Sequence, residues 1–64
     1  MILRNFISAN IKLKDGTISL QFINYAHIQR VFQINDIVYI ELSDYTTLEV
    51  SGDTLNTFIE RFVR

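Results

Sequence analysis

Turn-forming residues punctuate this chain at Asp15-Gly16, Asn35-Asp36, Ser43-Asp44-Tyr45 and Ser51-Gly52-Asp53. The runs between them are short, and up to residue 50 they mostly alternate apolar with polar residues. Alternation with a period of two is the signature of extended chain, whose successive side chains leave opposite faces. The breaks between the runs are only two or three residues long, too short for the crossovers that parallel strands need, so neighbouring runs read as antiparallel hairpins.

Asp15-Gly16 carries the usual signal of a two-residue hairpin turn, with positive φ at both centres. Closing the chain there sets Leu13 opposite Ile18, Ile11 opposite Leu20 and Ala9 opposite Phe22, all on one face. The preceding "LRNFIS" extends the first strand, and "NYAHI" makes a short non-strand connection in which Asn24 either caps a single helical turn or holds an Asx turn. A two-residue turn at Asn35-Asp36 then pairs Ile34 with Ile37, Phe32 with Tyr39 and Arg30 with Glu41. Parity rules out a two-residue turn and favours a three-residue loop at Ser43-Asp44-Tyr45, which puts Leu42 opposite Thr46, Ile40 opposite Leu48 and Val38 opposite Val50; a five-residue loop keeps the same parity. Tyr45 then falls where glycine is usual.

Beyond Ser51-Gly52-Asp53 the period changes. Leu55, Phe58, Ile59, Phe62 and Val63 recur at i, i+3, i+4, i+7 and i+8, the stripe of an amphipathic helix of about three turns. Ser51 or Asp53 is its expected N-cap, and Arg61 and Arg64 fall in its last turn, where the helix dipole favours cations. The expected fold is therefore α+β: a small antiparallel sheet of four to five strands with one C-terminal amphipathic helix, the whole of residues 1–64 forming a single domain.

One helix covers one face of a sheet. The cleaner apolar set, Val31, Val38, Ile40, Leu42, Leu48 and Val50, is the face it should cover. The other face then shows Phe32, Ile34, Ile37 and Tyr39, bordered by Arg30 and Glu41 and by Thr47 and Glu49. An apolar patch with a polar rim marks an interaction surface, and aromatic residues beside an arginine are typical of binding hot spots. Arg30, Phe32, Ile34, Ile37, Tyr39 and Glu41 are thus the candidate partner interface. The simplest partner is a second copy, because a chain of 64 residues buries little surface alone and gains by sharing a core. Two alternatives keep this face within the chain: a sheet curled into a small barrel around it, or the first hairpin folded over it.

Function classes narrow by chemistry. The chain has no cysteine and one histidine, His27, with no partner in sequence to orient it. Asp15, Asp36, Asp44 and Asp53 all fall at turns or caps, where aspartate bonds nearby backbone. No phosphate loop, metal-ligand spacing or nucleophile with a base is present, so neither an enzyme nor a cofactor or metal is expected, nor a small-molecule substrate. The formal charge of −1 is spread among scattered acids and bases, without the basic patch of a phosphate binder. Phe32, Tyr39 and Arg30 could still stack bases of a single-stranded nucleic acid, the alternative reading. No apolar run approaches the roughly 20 residues that span a bilayer, so a cytoplasmic protein is expected.

The order "LKDGTISL", "INYAHIQRV", "DIVYIELSDYTTLEV" and "TLNTFIERF" resembles the small FlbD/SwrD-type flagellar-operon proteins across roughly residues 11–62. Leu13, Gly16, Asn24, Ile28, Ile40, Leu42, Val50 and Ile59 occupy the corresponding places. Tyr45 departs from that pattern, where the family has glycine, as does the added N-terminal run "MILRNFISAN". The resemblance implies shared topology, a link to bacterial motility and no catalytic residues. Taken together, the expected function is non-enzymatic protein–protein interaction, as a homo-oligomer or as a small adaptor or inhibitor. A bacterial or a phage origin fits equally.

Overall fold

The computed structural model describes residues 5–60. The strands are β1 (Phe6–Lys12), β2 (Ile18–Asn24), β3 (Ile28–Ile34), β4 (Ile37–Leu42) and β5 (Thr47–Val50), followed by the helix α1 (Leu55–Glu60). They form one open antiparallel sheet in the order β2-β1-β5-β4-β3. A single 3-10 turn, Tyr25–His27, links β2 to β3, the two edges of the sheet. The sheet coils so that one face is concave: Ile7, Ala9, Ile11 and Ile23 from the first hairpin share one buried cluster with Val38, Ile40, Val50 and Phe58.

The second and third hairpins have the expected registers. Ile34 pairs with Ile37, Phe32 with Tyr39 and Arg30 with Glu41. Val38 pairs with Val50 and Ile40 with Leu48. A bulge between Ile28 and Arg30 inserts Gln29. It lets Ile28 and Val31, three positions apart, both turn toward the core they pack against. Tyr45 does hold a left-handed backbone, φ 69°, and the Leu42 N–H donates to Thr46 C=O at 2.8 Å.

The first hairpin corrects the expected register. Its loop has three residues, Lys14-Asp15-Gly16, closed by Leu13 N–H to Thr17 C=O at 2.8 Å. Ile11 therefore lies opposite Ser19, Asn10 opposite Leu20 and Ser8 opposite Phe22. The cause is local: only Gly16 has positive φ, 89°, and the Asp15 carboxylate accepts from the N–H of Thr17 at 3.0 Å and from its hydroxyl at 2.6 Å. The Ser43–Tyr45 loop is its twin, with Gly16 N–H to Leu13 C=O matched by Tyr45 N–H to Leu42 C=O, and Thr46 N–H bound to the Asp44 carboxylate at 2.9 Å. Both read Leu-x-Asp-x-Thr. A shift of one residue turns every side chain of β2 to the other face. Ile18, Leu20 and Phe22 accordingly point away from the core and are 51%, 63% and 56% exposed.

The cap of α1 is also corrected. Thr54, rather than Ser51 or Asp53, closes a reciprocal box: its hydroxyl accepts from Thr57 N–H at 3.2 Å, and the Thr57 hydroxyl accepts from Thr54 N–H at 3.0 Å. Gln33 on β3 accepts from Leu55 N–H at 3.0 Å and ties the helix start to the sheet. Phe58 is fully buried, whereas Ile59 is 39% exposed, so the covering stripe is narrower than its spacing implied. Arg61, Phe62, Val63 and Arg64 lie outside the described residues. No helix among the described residues is long and apolar enough to cross a membrane.

Candidate interaction surface

The core occupies the concave face, which the helix closes through Phe58 and Leu55. Period two then determines the convex face. It carries Arg30, Phe32 and Ile34 from β3, and Ile37, Tyr39 and Glu41 from β4. All six candidate residues thus come together on one surface. Among the described residues neither alternative that would bury this face holds, because both the curl of the sheet and the inner side of the first hairpin close on the opposite face, around the shared core.

The six form a graded surface. The rings of Phe32 and Tyr39, cross-strand partners, stack with centroids 5.4 Å apart at 23°. The Arg30 guanidinium lies 4.5 Å above the Phe32 ring, and its Nε donates to Glu41 Oε1 at 2.8 Å. Gln29 donates to the same oxygen at 3.2 Å. Arginine is thereby held over an aromatic ring by a carboxylate, an arrangement that leaves a weakly hydrated cation at the surface. Toward the Asn35-Asp36 turn the surface becomes purely aliphatic, with Ile34 55% and Ile37 37% exposed.

Glu41 and Glu49 do not form a carboxylate pair. Each faces its own cation, Glu41 with Arg30 and Glu49 with Lys12 at 3.9 Å, and Glu49 lies opposite Tyr39. The Lys12–Glu49 pair crosses the central strands β1 and β5, so the convex face is polar along its middle and apolar toward both edges. The second apolar edge, Ile18, Leu20 and Phe22 on β2, was missed by sequence reasoning, which put these residues on one face with Leu13, Ile11 and Ala9. The repeated Leu-x-Asp-x-Thr pattern was the signal that could have found it.

The turns hold the ionisable groups of note. Asp15 is kept below the ordinary carboxylate range by the Thr17 hydroxyl and then by its N–H. Asp44 is lowered likewise by the N–H and hydroxyl of Thr46. His27 is exposed in the 3-10 turn, where its carbonyl accepts from Ser43 N–H at 2.7 Å. Asn24 caps that turn through its side-chain oxygen, which accepts from Ala26 N–H at 2.9 Å. Among the described residues no three His, Cys, Asp or Glu side chains come together as metal ligands would.

No protein-family model, curated protein or solved structure matches this chain.

Proposed function

We propose that the chain is a non-enzymatic protein–protein interaction module, a small adaptor or inhibitor that docks through the β3–β4 part of its convex face. The first partner to test is a second copy. One observation carries the reading: Phe32, Ile34, Ile37 and Tyr39 lie on the side of the sheet away from the chain's own core and helix, and Ile34 and Ile37 keep much of their surface in water. Burying side chains of this size contributes roughly 1.5–3 kcal/mol each when exposure is complete, and proportionately less here. The rim supports specificity. Arg30, laid over Phe32 and held by Glu41, offers a partner an oriented cation at little cost in side-chain entropy.

Tyr39→Glu tests the reading. It sets a new carboxylate against Phe32 and across from Glu49 without touching the concave core. Sedimentation velocity over a concentration series should show wild-type self-association weakened at least tenfold by the variant, with an unchanged circular dichroism spectrum. Association that ignores the substitution would remove this face from the reading.

The arginine–phenylalanine–tyrosine stack also favours a second reading, a platform for single-stranded nucleic acid. Glu41, Glu49 and the net charge of −1 oppose it. Salt-dependent retention of a labelled oligonucleotide, lost in Arg30→Ala, would reverse the order of the two. By its resemblance to the FlbD/SwrD-type proteins the adaptor role is proposed to be linked to motility, and a motility defect on deletion in the source cell is the measurement for it.

A further inference from the structure

The strand β2 combines three features that are costly to leave in water together. It is an edge of the open sheet, and among the described residues no strand pairs the outer side of its backbone. Its outward side chains, Ile18, Leu20 and Phe22, are half exposed or more. Its sequence, ISLQFIN, holds no charge and no proline, the devices that normally protect an edge from pairing with another chain.

The direction of the free backbone groups follows from the bonds around them. Leu13 N–H donates to Thr17 C=O, and Tyr25 N–H donates to Asn5 C=O, both at 2.8 Å. Antiparallel ladders alternate bonded and non-bonded pairs, so the odd-numbered residues of β2 turn toward β1 and the even-numbered ones turn away. The bond from Ser51 N–H to Asn10 C=O agrees, since even-numbered Asn10 on β1 is turned toward β5. Ile18, Leu20 and Phe22 therefore present both an apolar side chain and a free N–H and C=O.

We infer that β2 pairs antiparallel with β2 of a second copy about a two-fold axis at Gln21, joining the two sheets into one. Three arguments select this occupant and register. Opposed residues in an antiparallel pair share a face, so even residues must meet even residues. The centre of Ile18–Asn24 is Gln21, so an axis there pairs the whole strand. It also sets Leu20 against the partner copy's Phe22 on the convex face, which makes one four-membered apolar cluster across the axis. An uncharged strand brings no like-charge clash to its own copy. The three side chains expose on the order of 300 Å² per protomer. Even with the backbone that is below a standard interface, so the dimer is reversible and concentration-dependent.

This surface is distinct from the β3–β4 face, and the experiment separates them. Leu20→Pro removes an N–H that β1 does not use, so the hairpin keeps its ladder. Sedimentation velocity should show the monomer–dimer midpoint moved at least tenfold higher by Leu20→Pro, with unchanged circular dichroism. Leu20→Lys reads the same contact should the proline variant fail to fold. Gln21→Cys gives a chain with a single cysteine. In the inferred register its Cα lies about 4.5 Å from its own symmetry mate, within disulfide reach. Mild oxidation should then link Gln21→Cys into dimers and leave Leu20→Cys and Phe22→Cys monomeric. A wild type that sediments as a monomer at every concentration overturns the inference, as does cross-linking no better at 21 than at 20 or 22. A dimer lost in Tyr39→Glu but indifferent to Leu20→Pro overturns it too, while leaving the β3–β4 reading intact. The opposite pattern supports β2 pairing and refutes self-docking through β3–β4.

Discussion

The twin loops offer a matched experiment, because one has glycine and the other tyrosine at the same left-handed position. Gly16 has φ 89°, and a Cβ built there meets nothing within 4 Å. The cost of Gly16→Ala is therefore conformational rather than steric against neighbours. That φ lies beyond the well near +60° which L-residues tolerate, so the folded state loses roughly 1–2 kcal/mol. Lower chain entropy in the unfolded state returns roughly 0.4–1 kcal/mol, and the net effect is a destabilisation of about 1 kcal/mol. Tyr45 sits at φ 69°, the edge of the same well, with 74% of its surface exposed. Tyr45→Gly relieves a smaller strain, loses little packing and adds unfolded-state entropy, so it should lie between neutral and about 1 kcal/mol stabilising. In a domain of this size 1 kcal/mol moves the melting temperature by roughly 4–8 °C, which urea and thermal denaturation followed by circular dichroism resolve easily. Opposite signs support the shared geometry. A neutral or stabilising Gly16→Ala would mean that position 16 needs no positive φ, and the three-residue loop, the β2 register and the outward placement of Leu20 and Phe22 would fall with it.

Phe58→Ala should cost roughly 3–5 kcal/mol, as for other fully buried aromatics. Set against a total of about 3–10 kcal/mol for 64 residues, that should remove from about a third to all of the stability read by denaturation; a shift under about 1 kcal/mol would show that α1 is peripheral. Thr54→Ala should remove about 1 kcal/mol by opening the reciprocal cap, whereas Ser51→Ala should be near neutral by the same assay. Asp15 and Asp44 have folded pKa values below the ordinary 3.8, so their contribution is complete above that pH and is lost as pH falls through the lowered values. Acid titration of stability should therefore decline below about pH 4, and Asp15→Asn/Asp44→Asn should flatten that limb.

Local chemistry decided much of this protein before any tertiary contact. The Asn35-Asp36 turn, the parity of the Ser43–Tyr45 loop, the Arg30–Glu41 pairing and the start of a helix near residue 55 all follow from neighbours in sequence. So does the gathering of Arg30, Phe32, Ile34, Ile37, Tyr39 and Glu41 on one face, since a two-residue turn and period two leave no other arrangement. The first hairpin was not decided that way. Its alternation fits a two-residue turn equally well, and only the folded chain shows that Ile7, Ala9 and Ile11 face the shared core while β2 is an edge whose apolar side is left outside. Alternation states that a strand has an apolar face. It does not state whether the layer covering that face belongs to the same molecule, because burial depends on which strands end as edges, and that is a property of the whole sheet.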